Sequence, residues 1–350
     1  MLYLFKAAVG ACWAMLCPFG IPTPSFHRGD VYLVRCFLVL LSSLFFAGYT
    51  QAQSTAGQAP FSFVAFGDMP YNLPADYGRF ENLIRDVNKQ NQVFNVHVGD
   101  IKSSETDCSN AYYQKILNYF NQFDKPLIYT PGDNEWTDCN KYTPGKYDID
   151  ERLATIRNQF FDGKNSLGKT KLALTAQSKH AEFAKYVENN RWQYGNVQFA
   201  TVHIVGTNNN FYPDPKGNNA EFYDRTKADL AWLDEVFDQA KASNAIAVVL
   251  FTQADMYNPA KDAKEANAFV SLKDKLQKRT EEFKKPVLLV NGDSHIFLVD
   301  KPIYVKGKKD LDSFTRLQLF GEDNIHAVKV TINPATAGLF QIEPLMIQGN

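Results

Sequence analysis

Apolar and polar positions alternate along the first part of the folded region and then switch to helical spacing. Phe61-Ser62-Phe63-Val64-Ala65-Phe66 reads as a strand ending at Gly67-Asp68. Phe80, Leu83, Ile84 and Val87 then fall on one helix face. Residues 93–98 form a second predicted strand, ending at Gly99-Asp100, and a helix covers 110–123. A third strand, 126–130, runs into Pro131-Gly132-Asp133-Asn134-Glu135. A helix near 150–161 and strands at 191–194 and 197–205 follow. Next come a helix (222–241), a strand (245–251), a helix (about 262–283) and a strand (286–290) that reaches Asn291-Gly292-Asp293-Ser294-His295. Four strands fill the tail, at 296–305, 314–320, 325–333 and 338–345. No repeat, low-complexity tract or Pro/Ser linker divides residues 53–350, so the pattern predicts one α/β sandwich domain.

Residues 1–52 read differently. Arg35 precedes the apolar run Cys36-Phe37-Leu38-Val39-Leu40-Leu41-Ser42-Ser43-Leu44-Phe45-Phe46-Ala47, which is too short to span a bilayer comfortably. Thr50-Gln51-Ala52 supplies small residues at the −3 and −1 positions of a cleavage site. This is the outline of a secretory signal peptide, which predicts a periplasmic or secreted protein whose mature chain has no membrane span. Lys6 and the prolines at 18, 22 and 24 do not suit a signal peptide, and a true start near Val31 is expected.

Composition narrows the class. The chain has 350 residues, 37 Lys and Arg against 38 Asp and Glu, and a formal net charge of −1, which excludes a chain-wide nucleic-acid footprint. Hydrophobic residues make up 45%, too many for a disordered chain. Of five cysteines, Cys12, Cys17 and Cys36 lie in the leader, leaving Cys108 and Cys139. Two cysteines in an exported chain are expected to pair. Oligomeric state is not legible.

The chemistry is concentrated at strand ends. Asp68, Asp100, Asp133 and Asp293 each follow a glycine where a predicted strand stops. In an open α/β sheet, ligands bind beyond the carboxyl ends of the strands. Two carboxylates about 5 Å apart repel by roughly 3 kcal/mol at an effective dielectric of 20, so a convergent set requires protonation or a cation. Oxygen-rich donors favour Mg²⁺, Mn²⁺, Ca²⁺ or iron over zinc.

Gly67-Asp68, Gly99-Asp100, Gly132-Asp133-Asn134-Glu135, the segment at Gln253 and Gly292-Asp293-Ser294-His295 resemble the five blocks of the calcineurin-like metallophosphoesterases. The resemblance spans about residues 61–300. It implies a four-layer α/β/β/α sandwich and two-metal hydrolysis of a small phosphorylated substrate, in which the metals activate water. It further implies that Asp68 and His295 hold one metal, Asp100 bridges two, and Asp133, Gln253 and Asp293 hold the second. The disulfide Cys108–Cys139 would then tie the rim of the site. The sequence departs from the pattern at Pro70, where the family has a histidine, with Tyr71 beside it as a substitute donor or a packing residue. It departs again at Asn134, which stands in the place of the histidine that assists the leaving group. The alternative implied by these losses is a degenerate member that binds metal or ligand without turnover.

Other features carry less. Gly163-Lys164-Asn165-Ser166-Leu167-Gly168-Lys169-Thr170 has the spacing of a phosphate loop, but a helix precedes it and no helix follows. His97 lies inside an apolar strand and is expected to be a core residue; His180, His203 and His326 have no motif context. Asp255 is expected in a turn, and Glu135 behind Asp133 rather than on a metal. Asn208-Asn209-Asn210 and Phe211-Tyr212 are expected at the site rim.

Overall fold

Alternation on Phe61–Phe66 (β1) serves two hydrophobic layers at once. Phe63 and Ala65 face one core cluster, whereas Val64 and Phe66 face another. Such a strand is buried on both sides, and all six of its residues are. The same division runs through the rest of the chain, which is described from a computed structural model covering residues 59–213, 217–258, 267–305 and 310–350. All of these belong to one compact unit, Gly57–Asn350. The leader, the expected start near Val31 and the first part of the helix expected from 262 lie outside the described residues.

After β1 come α1 (Ala75–Asn88), β2 (Asn95–His97), α2 (Asn110–Phe120), β3 (Leu127–Tyr129) and α3 (Ile149–Phe160). Then follow β4 (Thr175–Ala176), β5 (Asn190–Tyr194), β6 (Val197–Thr201), α4 (Ala220–Ala242), β7 (Ala247–Phe251) and α5 (Val270–Phe283). The chain closes with β8 (Val287–Asn291), β9 (Leu298–Asp300), β10 (Phe314–Gln318), β11 (Ala327–Ile332) and β12 (Phe340–Leu345). Side-chain caps set two helix starts: Ser109 accepts from the Tyr112 N–H at α2, and Asp148 from the Glu151 N–H at α3.

Two sheets result, ordered β12-β11-β1-β2-β3 and β4-β5-β6-β7-β8-β10-β9. In the first, β1, β2 and β3 run parallel; in the second, β6, β7, β8 and β10 do. Their inner faces share one core, including Phe63, Val96, Ile128, Phe199, Val249, Val290 and Val330. The outer face of the first sheet packs on α1, α2 and α3 through Val64, Phe66, Phe80, Ile116 and Ile156. That of the second packs on α4 and α5 through Val248, Leu250, Trp232 and Leu276. Three cores between four layers make an α/β/β/α sandwich, as the resemblance implies.

Two strand expectations are corrected. The strand expected over 197–205 leaves the sheet after Thr201, because the backbone of Ile204 turns to accept from Gln253 and Ala254. The strand expected over 296–305 is reduced to Leu298–Asp300, a short edge piece paired only with β10. Cys108 and Cys139 form a disulfide joining the loop after β2 to the turn after β3. No helix among the described residues is long and apolar enough to cross a membrane.

Candidate active site

Parallel strands deliver their carboxyl ends to one edge, and the glycine before each aspartate lets the loops close on one another. Gly132 has no room for a side chain: a Cβ there would stand 2.0 Å from Asp100 Oδ1. At Gly292 a Cβ would stand 2.0 Å from Asp68 Oδ2. Asp68, Asp100, Asp293 and His295 all adopt left-handed backbone (φ 54, 54, 71 and 59°). Non-glycine residues in that region persist only where the surroundings hold them, and they gather at functional sites.

The strand ends form a cleft of about 670 Å³. Its walls carry Asp100, Glu105, Asp133, Asp138, Asp293 and Glu322, with His295. Asp68 lies buried beneath. Its Oδ1 accepts the Asp293 N–H at 3.0 Å and lies 3.5 Å from His295 Nε2, and its Oδ2 has no partner. His295 Nδ1 lies 3.1 Å from Glu322 Oε2. Asp133 Oδ2 accepts the Thr207 hydroxyl at 2.6 Å, and Asp133 Oδ1 is buried without a partner. Asp293 Oδ2 accepts the Asp255 N–H at 2.9 Å.

Asp100 is surrounded. Its Oδ1 accepts the Asn134 N–H at 3.1 Å. Its Oδ2 accepts the Tyr71 hydroxyl (2.9 Å), Asn134 Nδ2 (2.9 Å) and Gln253 Nε2 (3.2 Å). Lys102, fully buried, donates to the Asn134 carbonyl at 2.6 Å. Glu135 lies behind Asp133, its Oε1 accepting the Tyr129 hydroxyl and the Gly132 N–H, each at 2.7 Å.

Burial governs the electrostatics. Burial, then the charges of Asp133, Glu135 and Asp68, holds the Asp100 carboxyl well above the usual range. Burial and the charge of Asp293 push Asp133 up to about 7 against the Thr207 hydrogen bond. Asp68 is raised by burial and drawn back by His295 and the Asp293 N–H. Burial disfavours the His295 cation, but Asp68 and Glu322 outweigh it and push this group up to about 9. Lys102 is pulled down to about 8 by burial, against the charges of Glu135 and Asp100.

The expected residues thus divide into two groups. Asp68, Asp133, Asp293 and His295 come together at the strand ends, Asp68 beneath the cleft and the other three on its wall. Two oxygens among them lie buried without a partner, a state a hard cation would relieve. Mg²⁺ in particular is commonly held by one or two carboxylates plus water and substrate phosphate. Asp100, Asn134 and Gln253 stand in the same place but are turned onto one another. The donor set therefore fits a cation held by Asp68 or Asp133 and does not fit a metal pair bridged through Asp100. Among the described residues no group of three His, Cys, Asp or Glu side chains is disposed to hold one ion.

Asp255 is drawn away from the cleft by Arg316 Nη1 (2.6 Å) and the Ser294 hydroxyl (2.7 Å). His97 is a core residue, accepting the Gly99 N–H at 3.1 Å, and His203 pairs with buried Glu188 at 2.9 Å. His180 pairs with Glu235 at the surface, and His326 Nδ1 accepts the Ile347 N–H. In the phosphate-loop lookalike, Lys169 pairs with Asp124 at the surface. Sequence reasoning missed Lys102 and Thr207. Lys102 stands two residues past Asp100, but nothing local tells a buried lysine from a solvated one. Thr207 opens a left-handed stretch through Asn210 (φ 49 to 60°), beside the expected rim asparagines.

No family model matches this sequence, and no curated protein does. Solved structures do. The purple acid phosphatase PPD1 from yellow lupin (Lupinus luteus) aligns with TM-score 0.50 and 14% identity, over 84% of this chain and 52% of that one. The 5′-nucleotidase from Candida albicans SC5314 aligns with TM-score 0.44 and 13% identity, over 81% and 50%. GAP50, the anchor in the inner membrane complex of Plasmodium, gives 0.44 and 9%, over 83% and 90%. This chain spans about half the length of the phosphatase and the nucleotidase. With its two sheets, outer helices and strand-end cleft, the chain has the calcineurin-like metallophosphoesterase fold.

Proposed function

We propose that this chain is an exported hydrolase of phosphoric esters, acting in the cleft at the strand ends. One observation carries the reading: on this fold, Asp68 Oδ2 and Asp133 Oδ1 are buried acceptors without a protein partner. Six acidic side chains and no described lysine or arginine line the cleft, so a divalent ion is what would offset the charge of a bound phosphate. When bound, that ion supplies the charge and Lewis acidity that the reaction needs. The chain supplies position. Thr207 fixes the Asp133 carboxylate, while the Asp293 N–H and His295 hold Asp68. The pairing of Cys108 with Cys139 supports export, since disulfides persist in oxidising compartments.

The test is a panel of phosphomonoesters and diesters offered to the chelated full chain, then to the chain with Mn²⁺, Mg²⁺, Ca²⁺ or Fe²⁺. Metal-dependent release of phosphate or alcohol, lost in Asp68→Asn and Asp133→Asn, is expected. Silence across the whole panel would abandon the hydrolase reading.

A second reading, ligand binding without turnover, is favoured by the Asn134 amide. It points at Asp100 and Tyr71 and offers no titratable proton to a leaving group. Saturable uptake of a phosphorylated ligand with no product formed would select it.

A further inference from the structure

We infer that Asp100 is a closed hydrogen-bonding hub that ligates no metal, so that this cleft never assembles an Asp100-bridged pair of ions. The inference concerns the cleft of the hydrolase reading but rests on the hub's own contacts. A carboxylate offers about four lone-pair positions. At Asp100 both oxygens are engaged: the Asn134 N–H binds Oδ1, and Tyr71, Asn134 Nδ2 and Gln253 Nε2 crowd Oδ2, the atom a bridge would need. Oδ1 also packs against Gly132.

The direction of the Gln253 amide is fixed by its other end. Gln253 Oε1 accepts the Gly206 N–H at 2.5 Å, so the NH₂ must face Asp100. Turned over, the amide would set N–H against N–H and its oxygen against the carboxylate. Gln253 is fully buried and thus presents a donor where a metal ligand must present an acceptor. Asn134 is held at both its backbone and its side chain. Lys102 donates to its main-chain carbonyl, and its Nδ2 reaches both the Tyr71 hydroxyl (3.0 Å) and Asp100. Bridging two ions through Oδ2 would displace the three donors that Oδ2 now accepts. Lys102 is itself fully buried, so its bond to the Asn134 main-chain carbonyl is shielded from water.

The experiment is a Mn²⁺ titration of the full chain followed by electron paramagnetic resonance. At saturation the wild type is expected to show only the resolved hyperfine signal of isolated Mn²⁺. Opening the hub with Tyr71→Phe, Asn134→His and Gln253→His together is expected to produce an exchange-coupled pair. An exchange-coupled signal from the wild type overturns the inference. Because the wild-type spectrum alone decides, the inference stays testable if the triple variant fails to fold. If the wild type takes up no Mn²⁺ and the opened variant does, the closed hub stands and the hydrolase reading falls.

Discussion

Burial makes single residues decisive in this protein, and His97 shows it away from the cleft. It sits fully buried among Phe66, Phe120 and Tyr129, and burial pushes its pKa from 6.5 down to about 3. A group whose folded pKa lies below its unfolded value contributes stability above the unfolded pKa. That contribution is lost as pH falls toward the folded one. Urea unfolding should therefore show the wild type losing stability relative to His97→Phe between about pH 7 and 4.5. Parallel pH curves for the two proteins would refute this. At this scale the sequence was legible only where chemistry is local. Each aspartate announces itself by the glycine before it, and His97 by its apolar neighbours. The orientation of Asn134 and Gln253 is set by partners 34 and 47 residues away, so no motif could show that their amides point inward as donors. Lys102 and Thr207 were missed for the same reason.

Elements were legible where their periodicity was strong. The β1–α1–β2–α2–β3 run follows the predicted order, because each strand is an apolar block and each helix carries one apolar stripe. Boundaries failed where tertiary contacts redirect the backbone: β6 stops at Thr201 so that residues 202–205 can reach Gln253. The loops after β2 and β3 have little regular structure and carry Asp100, Lys102, Asp133 and Asn134, so their covalent tie matters. Cys108 and Cys139 are 31 residues apart, which in the chain-entropy model corresponds to about 3–4 kcal/mol of stabilisation. Cys108→Ser with Cys139→Ser is expected to lose stability on that scale in urea, with the first loosening in the loops that hold Asp100 and Asp133. Hydrogen exchange resolved by peptide would detect that loosening, and uniform loss over all four layers would speak against it.

At the level of the whole molecule, three hydrophobic cores stack the layers so that strands from both sheets end around one cleft. The near-neutral net charge gave no hint of a carboxylate-walled cavity, because compensating lysines and arginines lie elsewhere on the surface. The order of the acidic strand ends conveyed the fold, and packing decided which of those acids remain available. Asp68 and Asp133 each keep a buried oxygen free, whereas Asp100 has none to offer. The most direct measurement is an anomalous difference map from crystals of the full chain grown with Mn²⁺. The account predicts a peak within about 2.0–2.6 Å of Asp68 Oδ2 or Asp133 Oδ1, with Asp100 Oδ2 still bound to Tyr71, Asn134 and Gln253. A pair of peaks straddling Asp100, or a cleft with no peak, would contradict it.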